Sequence, residues 1–216
     1  VGRAVLAALL TADRTDQHPG SAAAAPAVHV LYGAGRRGPA ASNPRLQLHA
    51  VDFAALPALP PVDDVYIALG TTIAAAGSQQ VFRAVDHGAV LATAQAARAA
   101  GATRCGVVSA MGADPASRIF YNRVKGEVER DLRNLGFEVL VIARPALLMG
   151  DRQALQQAHR PAESLSMGLF RWLNPLVPHN YRARPASDVG QALVRAVQTA
   201  PPGVHVLCGR ALGPQR

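Results

Sequence analysis

This chain of 216 residues has only two cysteines, no histidines paired at metal-ligand spacing and no long apolar run. The two cysteines, Cys105 and Cys208, have neither the number nor the spacing of a zinc site or a disulfide framework. We therefore expect reduced core thiols in a cytoplasmic protein. The seven histidines show no pairing at metal-ligand spacing, so no metal site is expected. No apolar run reaches membrane-spanning length and no signal-peptide pattern opens the chain, so we expect no membrane partner.

Runs of basic residues are also absent, although the net charge is +8. The arginines are scattered singly or in pairs without interleaved aromatic residues, which make up only 5% of the chain. Nucleic-acid binding is therefore not favoured. Half of the residues are apolar, which suits one α/β domain over residues 1–216 with a core of Ala, Val and Leu. The composition says nothing about the oligomeric state.

Lysine occurs once, at Lys125, and every other strongly basic side chain is arginine. Tyr121 precedes Lys125 by four residues, so on a helix the two side chains are neighbours. Phe120, Val124, Val128 and Leu132 repeat at the same spacing and predict an amphipathic helix. A surface tyrosine and lysine on such a helix would be the plain interpretation. A compact ammonium whose pKa moves readily is the alternative that chemistry can use.

Apolar segments of strand length alternate with helical patterns along the chain, which favours a doubly wound α/β domain with a mostly parallel sheet. The sequence predicts strands at Val28–Tyr32, Leu46–Val51, Val65–Leu69, Cys105–Ser109, Val139–Ala143 and Val204–Cys208. It predicts helices at Val1–Leu10, Gln79–Ala100, Phe120–Leu132, Leu165–Leu176 and Ala186–Thr199, the last with Ser187 as its N-cap.

The first ten residues have the pattern of a helix already under way. A doubly wound domain usually opens with a strand and a glycine-rich turn before its first helix. Gly2 would then be the last glycine of that turn. We expect the first strand and most of the glycine loop to be missing from this sequence.

Arg36 and Arg37 follow the predicted strand Val28–Tyr32, which is the second strand of such a fold when the missing first strand is counted. In dinucleotide-binding folds an acidic residue at this place accepts the ribose hydroxyl of NAD, whereas arginine accommodates the 2′-phosphate of NADP. The pair therefore favours NADP over NAD. A solvated basic turn is the alternative.

Two further strand ends are candidates for a cofactor site. Asp52 and Phe53, after the predicted strand Leu46–Val51, either line an adenine pocket or simply end the strand. Leu69, Gly70 and Thr71 leave the next strand, where a small residue would let a ligand approach the backbone. An ordinary strand-to-loop turn explains them equally well.

Ser109 ends the strand before the Tyr121 helix and could stand across from Tyr121 at the ligand-binding edge of the sheet. A serine there can also be only a turn former. Pro145 follows Arg144 at the end of the next strand.

With these residues in place, the chain resembles the short-chain dehydrogenase/reductase superfamily. Within it, the chain is most similar to the atypical NAD(P)H-binding branch that includes the Tat-interacting-protein-type oxidoreductases. The resemblance rests on Leu69-Gly70-Thr71-Thr72, Val108-Ser109-Ala110-Met111-Gly112-Ala113-Asp114, Tyr121–Glu129, Arg144-Pro145 and Gly150-Asp151-Arg152. It implies a Rossmann-like sheet, and only Gly2 would match the TGxxGxxG motif.

The resemblance also implies roles in an NADP(H)-dependent oxidoreductase acting on a small carbonyl or hydroxyl compound. Tyr121 would be the general acid/base, and Lys125 would hold the nicotinamide ribose and lower the pKa of the tyrosine. Ser109 would bind the substrate oxygen, Pro145 would border the cofactor, and residues 151–185 would form the substrate side.

Two alternatives remain open. Many relatives carry adjacent serines where this chain has Ser109-Ala110-Met111, so a catalytic hydroxyl could be lost. That departure favours a non-catalytic NADPH-binding sensor or regulatory protein. Sugar-nucleotide or isoprenoid epimerase or dehydratase chemistry on the same motif would need a larger substrate lobe.

Overall fold

A computed structural model describes residues 1–12, 31–35, 43–146, 148–149 and 184–213. The strands are β1 (Leu31–Gly35), β2 (Leu46–Ala50), β3 (Asp64–Ile67), β4 (Arg104–Val108), β5 (Val139–Ala143), β6 (Leu148–Met149), β7 (Arg184–Pro185) and β8 (Gly203–Leu207). The helices are α1 (Gly2–Ala12), α2 (Ile73–Ala76), α3 (Gln79–Arg83), a π segment (Ala84–Ala89), α4 (Val90–Ala99), α5 (Phe120–Arg133), α6 (Ala186–Thr199) and a final 3₁₀ turn (Gly209–Leu212).

The main sheet has the strand order β3-β4-β5-β8, and all of its strands are parallel. β5 lies inside the sheet and is buried along its whole length, as expected for a strand that helices cover on both faces. The α/β class and the parallel, Rossmann-like sheet that the sequence predicts are confirmed.

β1 and β2 form a separate parallel pair. Within the described part of the chain, no strand joins this pair to the β3 edge of the main sheet. The expectation of a missing first strand and glycine loop stays a prediction.

Each face of the main sheet carries its own helices. α1 and α6 cover one face, with Val5, Leu9 and Leu193 in a common core with β5. α4 and α5 cover the other face over β3, β4 and β5. Gly190 lets α1 and α6 approach closely, because a Cβ there would lie 2.8 Å from the backbone carbon of Ala4.

The long helix predicted from Gln79 to Ala100 is present as α3, the π segment and α4, ending at Ala99. The sequence predicts one apolar stripe of Val81, Val85, Ala89 and Ala92, and the buried face of the structure differs from it. Val81 is 48% exposed, whereas Phe82, Asp86 and Ala94 are buried. The π segment adds a residue to one turn and so rotates the residues on either side of it relative to each other.

Three details depart from the sequence predictions. Ser187 is not the N-cap of α6; Pro185 occupies that position, and the Ser187 hydroxyl contacts the Asp188 carboxylate instead. Cys105 is buried in β4, but Cys208 is exposed and is not a core thiol. β1 extends to Gly35, so the glycines after Tyr32 belong to the strand. The predicted helix Leu165–Leu176 and nearly all of the 151–185 segment lie outside the described residues.

Candidate functional site

The candidate site lies at the carboxyl edge of the main sheet, where the loops that follow β3 and β4 meet the beginning of α5. Parallel sheets bind ligands at this edge, because the loops that leave the carboxyl ends of the strands form a crevice there and the N-termini of the following helices face it. The residues that the sequence singles out at Leu69–Thr71, Ser109, Tyr121 and Lys125 all belong to these loops and this helix.

Lys125 is buried, with 5% of its surface exposed. Its ammonium lies 2.7 Å from the Oδ1 atom of Asp86, which is itself only 1% exposed. The other carboxylate oxygen of Asp86 accepts a hydrogen bond from the backbone N–H of Thr71 at 2.8 Å. Asp86 therefore joins Lys125 to the loop that leaves β3.

The local fold explains why Asp86 reaches this place. It belongs to the π segment, and π turns inside helices are often found at functional sites. Gly70 lies against the ion pair: a Cβ at this position would be 3.3 Å from Asp86 Oδ1 and 3.8 Å from Lys125 Nζ. The absent side chain leaves the loop backbone close to the ammonium.

Tyr121 is half-buried and packs against Phe82, with the two ring centroids 5.6 Å apart. Burial raises the pKa of the Tyr121 phenol, and the negative charge of Asp86 raises it further. The net shift is therefore upward in the protein without a ligand, because burial disfavours the phenolate and the Asp86 carboxylate lies beside the Lys125 ammonium. That Lys125 lowers the pKa of Tyr121 stays a prediction.

Ser109 is buried at the end of β4, and its hydroxyl donates a 2.6 Å hydrogen bond to the buried carboxylate of Glu129. Arg144 donates to both oxygens of the same carboxylate, at 2.8 Å from Nε and 2.5 Å from Nη2. Arg133 adds a longer contact of 3.4 Å. Because its proton is directed to Glu129, the Ser109 oxygen can accept but not donate a second hydrogen bond in this arrangement.

The loop between β4 and α5 is pressed against the helix that carries Lys125. A Cβ at Gly126 would lie 2.2 Å from the backbone of Asp114 and Pro115, a clash that only a backbone shift could relieve. The loop is further tied by the N–H of Met111, which donates to the carbonyl of Pro145 at 3.0 Å. Pro145 is thus buried below this loop.

The other residues predicted to bind the cofactor are not seen in contact with Lys125 in the described ranges of the chain. Asp52 is exposed and caps its own turn by accepting from the N–H of Ala54 at 2.9 Å, and Phe53 next to it is half-buried. No described contact brings either residue to Lys125. Arg36 and Arg37 lie outside the described residues.

Gly2 begins α1 beside the carboxyl end of β3. A Cβ on Gly2 would lie 3.6 Å from the Cβ of Ala68. The N-terminus of α1 therefore faces the edge where dinucleotide-binding folds place a pyrophosphate. With the buried ammonium of Lys125 and the small Gly70, these residues fit the nicotinamide-ribose side of a dinucleotide.

Sequence reasoning missed Asp86, Glu129 and Gly126. Asp86 and Glu129 looked like ordinary helix charges, and their burial comes from tertiary packing. A sequence signal exists only for Gly126, since a glycine in the middle of a helical pattern is unfavourable and usually has a packing reason.

The described residues contain no group of three or more His, Cys, Asp or Glu side chains placed to hold a metal ion. In the same part of the chain, no helix is both long enough and apolar enough to cross a bilayer.

Comparison with curated proteins finds relatives that carry one name. The chain is 36% identical over 137 residues to "Protein FMP52, mitochondrial" of Candida albicans, covering 62% of this chain and 58% of the relative. It is 44% identical over 112 residues to the Emericella nidulans protein of that name, covering 51% and 46%. The chain thus spans about half the length of the curated relatives it matches. No protein-family model matches it.

The relatives overturn one expectation. They are named mitochondrial proteins, at 36–46% identity, so the expected cytoplasmic localisation is wrong.

Comparison with solved structures finds the same fold in three proteins at low sequence identity. MoeE5 in complex with UDP-glucuronic acid and NAD superimposes with a TM-score of 0.63 at 18% identity, covering 94% of this chain and 72% of that one. ADP-L-glycero-D-manno-heptose-6-epimerase of Helicobacter pylori gives 0.58 at 16% identity, covering 96% and 74%. RMD of Pseudomonas aeruginosa, complexed with NADPH, gives 0.51 at 19% identity, covering 78% and 71%. The chain therefore shares its fold with proteins solved in complex with NAD or NADPH and with an epimerase.

Proposed function

We propose that this protein is a nicotinamide-dependent oxidoreductase of the short-chain dehydrogenase/reductase type, in its atypical NAD(P)H-binding branch, acting on a small carbonyl or hydroxyl compound. The observation that carries the proposal is the buried Lys125 ammonium at the carboxyl edge of the sheet. Lys125 lies one turn after Tyr121 on α5, and Gly70 borders its ammonium. Burying a charge is costly, and a chain with one lysine has placed it at the ligand-binding edge.

Each residue of the site has a separate role in this proposal. A bound nicotinamide cofactor supplies the hydride chemistry. Lys125 has three ammonium hydrogens, and its ion pair with Asp86 leaves donors for the hydroxyls of a ribose. Tyr121 exchanges a proton with the substrate oxygen. Gly70 gives the ligand access to the loop backbone.

We assign the cofactor as NADP(H) rather than NAD, because two adjacent arginines suit a 2′-phosphate better than a ribose hydroxyl. The solved structures of this fold include complexes with NAD and with NADPH, so this choice depends on Arg36 and Arg37. The names of the relatives favour a mitochondrial location for this protein as well.

Tyr121→Phe tests the assignment of the proton-exchanging group. We expect the variant to lose turnover on a panel of small aldehydes and ketones while its NADPH affinity, measured by fluorescence titration, stays within about twofold, because the phenol proton is needed only in the reaction. Turnover by the variant equal to that of the wild type would refute the proposal.

Arg36→Ser with Arg37→Ser tests the cofactor. We expect weaker NADPH binding with little change for NADH, whereas Arg98→Ser, an exposed arginine in the last turn of α4, should change neither. An equal loss of affinity for NADPH and NADH in the double variant would argue against a contact between these arginines and the 2′-phosphate.

A second candidate is a non-catalytic NADPH-binding sensor. The Ser109 proton is directed to Glu129, so Ser109 has no donor left for a substrate carbonyl. This candidate predicts saturable NADPH binding without turnover on any carbonyl substrate. NADPH oxidation that depends on Tyr121 would exclude it.

A further inference from the structure

The Lys125 ammonium does not stand alone in the site, because Asp86 places a full negative charge 2.7 Å from it. Both side chains are almost fully buried, so water screens neither charge effectively. Seen from Tyr121, the positive charge that would favour a phenolate is accompanied by a negative charge of equal size. The net electrostatic effect of the pair on the phenol is therefore set by Asp86 as much as by Lys125.

Two arginines near Tyr121 have no carboxylate partner among the described residues: Arg118, which is exposed, and Arg123, which donates to the Ser117 carbonyl and lies over the Phe120 ring. Other charged groups on the elements around Tyr121 are paired. On α3 and α5, Arg83 lies 2.6 Å from Glu127. His87, next to Asp86, lies 2.8 Å from Asp131, which also binds Arg130. Near the ends of β4 and β5, Glu129 is held by Arg144 and Arg133, and Asp114 of the intervening loop accepts from the N–H of Ala116. None of these pairs offers Tyr121 the uncompensated positive charge that would replace Lys125.

We propose that Asp86 is a positioning residue that holds Lys125 and offsets the charge of Lys125 at Tyr121, so that the phenol stays a proton donor and the site is suited to carbonyl reduction. The proposal rests on the function assigned above. Asp86 suits this role because its two oxygens are already divided between Lys125 and the Thr71 N–H, which fixes the ammonium in one place.

The direction follows from the proton balance. In reduction, a bound reduced nicotinamide would supply the hydride that forms the new C–H bond at the carbonyl carbon as the C=O π bond breaks, and the oxygen would take the proton of the Tyr121 hydroxyl. The carbonyl would be reduced and the cofactor oxidised, and the tyrosinate would regain a proton from water. In oxidation Tyr121 must first be ionised, and burial together with Asp86 makes that form scarcer than in a free tyrosine.

The experiment is a titration of the tyrosine ring carbons by NMR in the full chain labelled at the ζ carbon, without cofactor. The chain has four tyrosines, and Tyr121→Phe identifies the signal. Asp86→Asn removes the charge but keeps an oxygen acceptor for the Thr71 N–H. We expect its Tyr121 midpoint to fall by at least about half a pH unit, within the effect of one close charge. Lys125→Met should move the midpoint upward.

Glu127→Gln is the matched control, because it neutralises a carboxylate of another ion pair between the same helices. It should leave the Tyr121 midpoint unchanged. If Asp86→Asn does not fold, as judged by circular dichroism, the direction of the Lys125→Met shift decides.

A Tyr121 midpoint that does not move in Asp86→Asn, or that falls in Lys125→Met, would overturn the inference. The titration needs no cofactor, so it stands apart from the proposed function. Failure of NADPH to bind would count against the function alone. If turnover depends on Tyr121 but the Tyr121 midpoint is the same in Asp86→Asn as in the wild type, the result would count against the role of Asp86 alone.

Discussion

Helix α5 carries two buried charged clusters one turn apart, and they are built differently. The Lys125 cluster consists of Lys125, Asp86 and the backbone of Thr71. The Glu129 cluster consists of Glu129, Arg144, Arg133 and Ser109. In each of them, the α5 side chain is buried beside the carboxyl edge of the same sheet.

The two clusters differ in how completely their hydrogen-bonding capacity is used. The Glu129 carboxylate receives donors at both oxygens, including the two-point contact that a planar guanidinium makes well. The Lys125 ammonium has three donors and one carboxylate partner within the described part of the chain. A saturated buried charge holds structure together, whereas a buried charge with spare donors is suited to a ligand.

Removing the hub of the saturated cluster should have the largest effect. Glu129→Ala leaves Arg144 and Ser109 without their acceptor, and we expect a loss of about 3–5 kcal/mol in the free energy of unfolding, measured in urea. Glu127→Ala, in a half-buried ion pair on the same helix, should cost at most about 1 kcal/mol. Similar losses of unfolding free energy in Glu129→Ala and Glu127→Ala would mean that the Glu129 cluster is no more important for stability than an ordinary half-buried ion pair.

Arg144→Lys sharpens the comparison by keeping the charge and removing the planar two-point contact. One hydrogen bond to a charged acceptor disappears, so we expect destabilisation of about 1.5–3 kcal/mol. Arg133→Lys, at a contact of 3.4 Å, serves as control and should cost less than about 0.5 kcal/mol. If Arg144→Lys leaves the free energy of unfolding unchanged, charge alone holds the cluster together.

Ligand affinity should separate the clusters in the opposite sense. Lys125→Met removes the spare donors, and we expect NADPH affinity to fall by at least about tenfold, equivalent to roughly 1.4 kcal/mol. Arg144→Lys, studied at a temperature where it is fully folded, should bind NADPH as the wild type does. Equal weakening in both variants would assign the Glu129 cluster to the ligand site.

The smallest effect belongs to an exposed pair on the same helix. Asp131 has a lowered pKa, chiefly through its hydrogen bond with Arg130 and secondarily with His87. A carboxylate with a lowered folded-state pKa stabilises the protein above its unfolded pKa and loses that contribution as the pH falls through the folded pKa. Asp131→Asn should therefore cost less than about 1 kcal/mol at pH 6, and the difference should vanish near pH 2 in acid unfolding curves. A difference that persists in acid would point to packing.

Tyr121 and Lys125 could be predicted as neighbours because helical spacing alone brings them together. The stripe that buries their helix follows the same local rule, and Val124, Val128 and Leu132 are in the core as predicted. The strand ends at Gly70 and Ser109 could also be predicted, since a buried apolar run of strand length marks its own carboxyl end.

Asp86 could not be predicted, because a π turn shifts which side of the helix it occupies. Ser109 was found by its position, but its partner Glu129 is 20 residues away, and only packing of α5 on β4 directs the hydroxyl to it. The part of the upward shift in the Tyr121 pKa that Asp86 causes could not be predicted for the same reason, because the sequence contains no sign that this carboxylate lies between the β3 loop and α5.

The sequence by itself determined the parallel α/β class, the position of the helix that carries Tyr121 and Lys125, and the edge of the sheet they face. These features follow from local periodicity and from the direction of parallel strands. Only the tertiary structure decided which charges are buried together, and so which cluster is saturated and which keeps donors for a ligand. That outcome depends on contacts between residues far apart in the chain, whose burial strengthens each charge interaction and which no local pattern records.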